Sequence, residues 1–192
     1  MNTFKLLACL LIITLVISCA GSKSLPTQYY QLFVDEKTNQ QYQSTQSFFI
    51  DVTDIPESLK RQSIVSYKSN KTNLIISKTH LWAADLQELI TQAIKASLKN
   101  QFPEASFYTS RKHINTTDYV ISIEIHEFAG ELGQEVSLDA TWEIVEGKLH
   151  TTNLTNNLSS DSYTDYVIAL SKMLEILSGQ IASKVNSQKD NE

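Results

Sequence analysis

Apolar side chains recur every three or four positions in two long segments of the chain. In the first segment this spacing predicts a helix that opens near Leu81 and ends before Pro103. In the second, from Tyr163 to Val185, one apolar stripe predicts another long helix. Each helix carries a single apolar face, so each needs a sheet or another helix to cover it.

Shorter segments alternate apolar and polar residues, or are rich in aromatic and β-branched residues, as strands are. The predicted strands cover 29–34, 48–52, 64–67, 74–76, 118–128, 136–145 and 148–158, and the sequence GELG at 130–133 predicts a hairpin turn. Strict strand–helix–strand alternation is absent. The pattern therefore predicts an α+β fold, with a mostly antiparallel sheet and the two long amphipathic helices packed on one of its faces.

The first eighteen residues differ from the rest of the chain. Lys5 is followed by the apolar run 6–17, interrupted only by Thr14. This run is shorter than the ~20 residues of a spanning helix and matches the apolar region of a signal peptide. Its end, with Ser18 and Cys19, resembles the lipobox of bacterial lipoproteins. The alternative is an ordinary secretory leader in which the cysteine is incidental.

The lipobox resemblance implies a covalent anchor at Cys19. The leader would be cleaved between Ser18 and Cys19, and Cys19 would then carry S-diacylglycerol and an N-acyl chain. Several acyl chains hold a protein on a membrane stably. Cleavage also removes Cys9, the chain's other cysteine, so no intramolecular disulfide is expected. In the lipoprotein sorting pattern Ala20 resembles an outer-membrane address, because Asp at that position marks inner-membrane retention.

These features divide the chain into four parts. We expect a lipoprotein signal peptide at 1–18, the lipidated cysteine and a tether at 19–28, a single domain at 29–187 and a polar tail at 188–192. The 192 residues are 42% hydrophobic and 19% charged, which is ordinary for a globular domain. The formal net charge is −5 and there is no basic stripe, so nucleic acid is not an expected partner.

Catalytic and metal-binding motifs are absent from the sequence. The four histidines have no zinc-ligand spacing, and there is no Walker or GxSxG motif. His126 lies near Glu124 and Glu127, but on a strand this spacing favours a surface pair over a metal or acid–base site. We therefore predict a protein that is not an enzyme and has no cofactor besides the lipid on Cys19.

Several short motifs then appear in a characteristic order. They are Tyr29-Tyr30-Gln31-Leu32 soon after the lipobox, Leu81-Trp82-Ala83, Glu127-Phe128-x-Gly130, Trp142, and Asp161-Ser162-Tyr163 before the last helix. In this order they resemble the ABC-type transport auxiliary lipoproteins, also called paraquat-inducible protein C. The resemblance covers nearly all of the chain after Cys19.

The resemblance implies a role in an envelope system built around a mammalian-cell-entry (MCE) protein, which moves phospholipid or other hydrophobic molecules between membranes. The protein would lie on the periplasmic face of the outer membrane, dock the MCE tunnel and have no nucleotide site. The alternative is a structural or assembly lipoprotein that scaffolds another outer-membrane complex without handling lipid. An envelope hydrolase is a third, remote class.

Three aromatic residues are candidate contacts with a partner or with another copy of the chain. A strand places Tyr29 and Tyr30 on opposite faces, so one ring is expected in the core and the other at the surface. Trp82 either contacts a partner or anchors the core. Unpaired edge strands at 29–34 or 148–158 would be the seams of a homo-oligomeric ring that matches the symmetric MCE tunnel.

Overall fold

The computed structural model describes residues 25–35, 41–68, 71–144 and 147–189. The predicted signal peptide, the cleavage site at Ser18–Cys19 and the sorting residue Ala20 lie outside these residues. Within them the chain forms the strands and helices in the following order: β1 (Gln28–Tyr30), β2 (Ser47–Asp54), β3 (Ser63–Tyr67), β4 (Leu74–Trp82), α1 (Leu86–Gln101), β5 (Ser106–Tyr108), β6 (Tyr119–Gly130), β7 (Glu135–Ile144), β8 (His150–Asn157) and α2 (Tyr163–Lys189).

The strands form two sheets. A three-stranded sheet has the order β1-β4-β3, and a five-stranded sheet has the order β5-β2-β6-β7-β8. The longest ladders, β6 with β7 and β7 with β8, are antiparallel. The short β1 pairs with β4 in parallel, and β2 is parallel to both of its neighbours, β5 and β6. Helices α1 and α2 pack on each other and cover β2, β7 and β8. The predicted α+β fold with mostly antiparallel strands and two long helices is confirmed, but the strands form two mixed sheets where the sequence predicted one.

The β6–β7 hairpin forms where the sequence predicted it. Gly133 has a φ of +75°, a conformation that a side chain with a Cβ rarely adopts. At Gly130 the reason for glycine is close packing, because an added Cβ would lie 2.0 Å from the carbonyl oxygen of Glu135. Both glycines are therefore needed for the geometry of this hairpin.

Helix α1 begins later than the apolar spacing suggested. The prediction that Leu81 and Trp82 open a helix is wrong, because both belong to β4 and pair with Tyr29 and Tyr30 of β1. The helix starts after Asp85, whose carboxylate accepts a hydrogen bond from the Glu88 N–H at 3.1 Å. An N-terminal cap of this kind fixes where a helix begins.

Other boundaries also differ from the sequence pattern. The strand predicted at 29–34 ends at Tyr30, and residues 31–35 leave the sheet and run along α2. Helix α2 continues to Lys189 and so includes the first two residues of the segment predicted as a polar tail. The three-residue strand β5 was not predicted, since it is too short to show alternation.

The main core lies between the helices and the five-stranded sheet. Its largest fully buried side chains include Tyr166, Phe48, Phe102 and Phe128. The rings of Phe102, Phe107 and Tyr119 all stack on Phe48. These contacts fix β2 beneath α1 and leave the outer face and edge of the three-stranded sheet at the surface.

Candidate interaction surface

Both edges that the sequence singled out are edges in the fold. Strand β1 is one of the two outer strands of the three-stranded sheet, with β3 as the other, and β8 is an outer strand of the five-stranded sheet, with β5 at the opposite edge. An edge strand presents backbone N–H and C=O groups that another strand can pair with. The two edges belong to different sheets, so a contact that joined them would be head-to-tail, as ring assembly requires.

Tyr29 and Tyr30 point to opposite faces of β1, as predicted. Tyr29 is 62% exposed, and Tyr30 packs against the core. The Tyr30 hydroxyl lies 2.8 Å from Nδ1 of His80 and donates to Oε1 of Gln28 at 2.6 Å. Burial raises the pKa of Tyr30. Of the two rings, Tyr29 is therefore the one available to a partner.

The strand register places further apolar residues on the same side as Tyr29. Tyr29 pairs with Leu81, and Leu81 pairs with Ser63. The ladder shifts between Ser63 and Val65, where β4 is irregular, and the side is followed along β3 from Ser63 to Val65 and Tyr67. Directly paired residues share one face of a sheet, and so do residues two apart on a strand. Val65 pairs with Ile76, and Tyr67 pairs with Leu74. We call Tyr29, Leu74, Ile76 and Leu81 the N-terminal sheet face.

This face is open over most of its length. Leu74 and Ile76 are 45% and 46% exposed, although Val65 on the same side is buried. Sequence reasoning found Tyr29 but missed Leu74 and Ile76, because a strand of apolar residues does not show which of them the rest of the fold will cover. Their exposure is set by the register with β3.

Trp82 belongs to the core. It is 3% exposed, on the opposite side of the three-stranded sheet from Tyr29. The backbone N–H of Trp82 donates to the carbonyl oxygen of Gln62 at 2.7 Å, which holds β4 against the start of β3. Of the two alternatives for Trp82, burial excludes the partner contact and leaves the core anchor.

Aromatic side chains join the three-stranded sheet to α2. The ring of His80 stacks on Tyr163, with 4.0 Å between ring centroids and 13° between planes. One turn later, the buried Tyr166 hydroxyl donates to the Val65 carbonyl at 2.9 Å and accepts from the Gly130 N–H at 2.8 Å. The start of α2 is thus bonded to both sheets, so the two sheets hold a fixed relation to each other.

A surface groove runs beside α2 and was not predicted from the sequence. It has a volume of about 470 Å³ and lies between residues 33–35 and the end of β8. Phe33 and Ile168 are exposed within it, while Asp165 and Glu175 also line it. The Phe33 N–H donates to Oγ of Ser171 at 3.3 Å, which holds one wall on the helix. Lys172 also lines the groove and pairs with Glu175 at 2.6 Å, so the apolar floor has a margin of mixed charge.

The histidines are dispersed and act in packing. Nδ1 of His126 lies 3.8 Å from Oε1 of Glu124, and its Nε2 lies 2.9 Å from Oγ1 of Thr141 on the neighbouring strand. The His126 side chain is partly exposed. This is the surface pair that the sequence favoured over a metal site. His113 and His150 stack on Tyr108 and Trp142. Among the residues that the structure describes, no three His, Cys, Asp or Glu side chains form a group able to hold a metal ion.

Fold and surface together define an α+β domain that is equipped for contacts through strand edges and one apolar sheet face. Residues 30–182 match the family of ABC-type transport auxiliary lipoprotein components. The match covers most of the chain, and the protein belongs to this family.

Named relatives are distant in sequence. The chain is 21% identical over 124 residues to the intermembrane transport lipoprotein PqiC of Escherichia coli and to the protein of the same name from Shigella flexneri. The alignment covers 64% of this chain and 65% of each relative. The chain therefore matches slightly less than two thirds of the length of these relatives.

Two crystal structures share the fold. An uncharacterized protein matches with a TM-score of 0.69 at 19% identity, over 84% of this chain and 99% of its own. A protein from Xanthomonas campestris matches with a TM-score of 0.65 at 13% identity, and the match covers 86% of this chain and 99% of the Xanthomonas chain. Among the helices that the structure describes, none combines the length and apolar character needed to cross a bilayer.

Proposed function

We propose that the protein is a non-catalytic accessory lipoprotein of an intermembrane lipid transport system of the MCE type. The observation that carries this proposal is the family match over residues 30–182. The name of the related PqiC, an intermembrane transport lipoprotein, agrees with it. The protein would contribute binding surfaces to a system whose cargo is phospholipid or another hydrophobic molecule.

The anchor follows from the sequence. The leader 1–18 is cleaved at Ser18–Cys19, and Cys19 receives the S-diacylglycerol and N-acyl groups. With Ala20 as the sorting residue, the mature protein lies on the periplasmic face of the outer membrane. A tether of about ten residues reaches only ~15–20 Å as a flexible chain, by the ~5–6 Å × √n scaling. The domain itself therefore stays near this membrane, and a partner must cross the periplasm.

That partner is an MCE-domain protein whose tunnel meets the auxiliary lipoprotein at the outer membrane. A symmetric tunnel is matched by a cyclic homo-oligomer with repeated head-to-tail contacts. The exposed edges of β1 and β8 supply the two different surfaces that such a contact needs. The apolar groove beside α2 lies at the β8 edge and enlarges that side of the seam.

The test is binding between the purified mature lipoprotein and an MCE-domain protein from the same organism. We expect co-purification of the pair from detergent and a mass, by light scattering, of several copies of the lipoprotein. A monomer at tens of micromolar that also fails to bind the MCE protein would contradict the proposal. That result would favour the alternative, a structural lipoprotein of another outer-membrane complex.

A further inference from the structure

The N-terminal sheet face exposes several apolar side chains, as a surface that binds a partner or a membrane does. Tyr29, Leu74 and Ile76 are each 45–62% exposed and lie on one side of one small sheet. Leu25, three residues before β1, is 76% exposed. Single exposed apolar side chains need no explanation, but a cluster of them on one face indicates an interaction site.

Basic side chains are concentrated in the segment of the chain that contains most of this face. Residues 58–84 contain five basic side chains and no acidic one, in a chain with 21 acidic and 16 basic residues. Lys60 and Lys71 form ion pairs with Asp54 and Glu127. Lys78 is exposed in the irregular part of β4, and Arg61 and Lys68 are exposed just before and just after β3. Apolar side chains bordered by positive charge complement an anionic lipid surface.

The course of the chain brings this face to a membrane. Leu25 is six residues after Cys19, and six extended residues span at most ~20 Å, at ~3.3–3.6 Å each. This step rests on the proposed function, because it requires the acyl chains on Cys19. Given that anchor, β1 is the first element that follows it, and Tyr29 is on the sheet's open side.

We propose that the N-terminal sheet face is a membrane-contact surface that rests on a leaflet containing anionic phospholipid. Tyr29, Leu74 and Ile76 enter the headgroup region. A tyrosine suits this region because its ring contacts apolar groups while its hydroxyl contacts water. Lys78 lies against the headgroup phosphates. The β1 edge lies in the plane of the sheet, so strand pairing with a neighbouring copy stays open while the face is covered.

This surface gives the lipid anchor a second function. Acyl chains on Cys19 limit the distance of the domain from the bilayer but do not set its orientation. A second contact through the sheet face sets the orientation and keeps α2, whose Tyr163 stacks on His80 at the other side of this sheet, away from the bilayer. Tyr29 then contacts the bilayer and not a protein partner.

The experiment uses the lipidated protein in vesicles of phosphatidylethanolamine and phosphatidylglycerol. The variant Ile76→Cys carries an environment-sensitive fluorophore, and Thr155→Cys, an exposed position on β8, is the matched control. We expect a blue shift and quenching by spin-labelled lipid at position 76 and neither effect at position 155. Equal quenching at both positions, or none at 76, would overturn the proposal.

Charge variants test the recognition of anionic lipid. Lys78→Glu should abolish most of the quenching at position 76, whereas Lys112→Glu, the same change at an exposed site in the segment 111–116, should leave it unchanged. A blue shift at position 76 that rises with protein concentration in detergent alone would instead identify a contact between copies. If the protein carries no acyl chains and does not associate with vesicles, the proposed anchor fails. If it associates but position 76 stays in water, only this inference fails.

Discussion

The hydroxyl of Tyr166 donates a hydrogen bond to the carbonyl oxygen of Val65 at 2.9 Å, across 101 positions of the chain. The hydroxyl oxygen of Tyr166 in turn accepts a hydrogen bond from the Gly130 N–H at 2.8 Å. Val65 belongs to the three-stranded sheet and Gly130 to the five-stranded one, so a single side chain of α2 connects them. Burial raises the pKa of Tyr166, so the hydroxyl stays protonated and able to donate.

Replacement of Tyr166 by Phe should lower the melting temperature without unfolding the protein. The change keeps the ring but leaves a buried carbonyl and a buried N–H without their partner, at ~1–3 kcal/mol for each buried group left unsatisfied. Thermal or urea unfolding measures the loss. Tyr163→Phe removes the same atom one turn earlier, from a hydroxyl that bridges neither sheet, and should cost much less. Equal losses would refute the bridging role.

Gly130→Ala and Gly179→Ala should have opposite effects on stability. A Cβ at Gly130 would meet backbone atoms of Glu135 and Val136 at 2.0–2.8 Å, and backbone cannot move aside as a side chain does. At Gly179, within α2, the nearest atom is 4.0 Å away, and alanine favours a helix by ~0.5–1 kcal/mol over glycine. Chemical denaturation of the pair checks this. A tolerated Gly130→Ala would mean that the hairpin packs less closely.

Trp82 and Tyr29 should separate stability from binding. Trp82→Ala empties a core position and should cost ~3–5 kcal/mol of unfolding free energy. Tyr29→Ala changes an exposed side chain and should stay within ~0.5 kcal/mol, yet weaken contact with the membrane. Unfolding curves and vesicle sedimentation give the two measurements. A large loss of stability from Tyr29→Ala would place its ring in the core instead.

Helices and strands with a long, regular pattern of apolar and polar residues could be predicted from the sequence. The hairpin of β6 and β7 has strict alternation on both strands, and α2 has an uninterrupted apolar stripe, so each was recognised. The start of α1 was misplaced because Leu81 and Trp82 fit the spacing of the helix that follows. What places them in a strand is pairing with Tyr29 and Tyr30, some fifty residues away, which local periodicity does not report.

The candidate surface was only partly predictable for the same reason. Tyr29 and Tyr30 could be divided between two faces by alternation alone, but not assigned to inside and outside. The exposure of Leu74 and Ile76 depends on where β3 meets β6, and the groove beside α2 depends on Phe33 leaving the sheet after Tyr30. Both are consequences of tertiary packing between segments that are far apart in the chain.

Asp118 should make the free energy of unfolding depend on pH in the acid range. Its carboxylate accepts two bonds of 2.7 Å, from the N–H and the hydroxyl of Ser47, and these lower the pKa of Asp118 from its ordinary value of 3.8. A lowered pKa in the folded state stabilises the fold above about pH 4, and the contribution is lost as the pH falls through the folded value. Asp118→Asn should therefore destabilise the protein at pH 7 and show a shallower decline below pH 4. The matched control is Asp161→Asn, which replaces an exposed carboxylate and should leave the pH dependence of unfolding unchanged. The same pH dependence in the unaltered protein and in Asp118→Asn would contradict the prediction.

The membrane anchor should depend on Cys19, and its destination on Ala20. Cys19→Ser removes the acceptor sulfur, so lipoprotein cleavage and acylation should both be lost while the fold from β1 onward stays intact. Palmitate labelling followed by envelope fractionation measures this, and label that persists on the variant would contradict the anchor.

Ala20→Asp should leave labelling unchanged, because the acceptor sulfur is still present, but should shift the protein to the inner-membrane fraction. The matched control is Ala20→Ser, a small residue that carries no retention signal and should stay with the outer membrane. An inner-membrane location for both the unaltered protein and Ala20→Ser would mean that sorting does not follow this residue. The proposed docking at the outer membrane would then be wrong even with the lipid in place, since the domain stays within the reach of its tether.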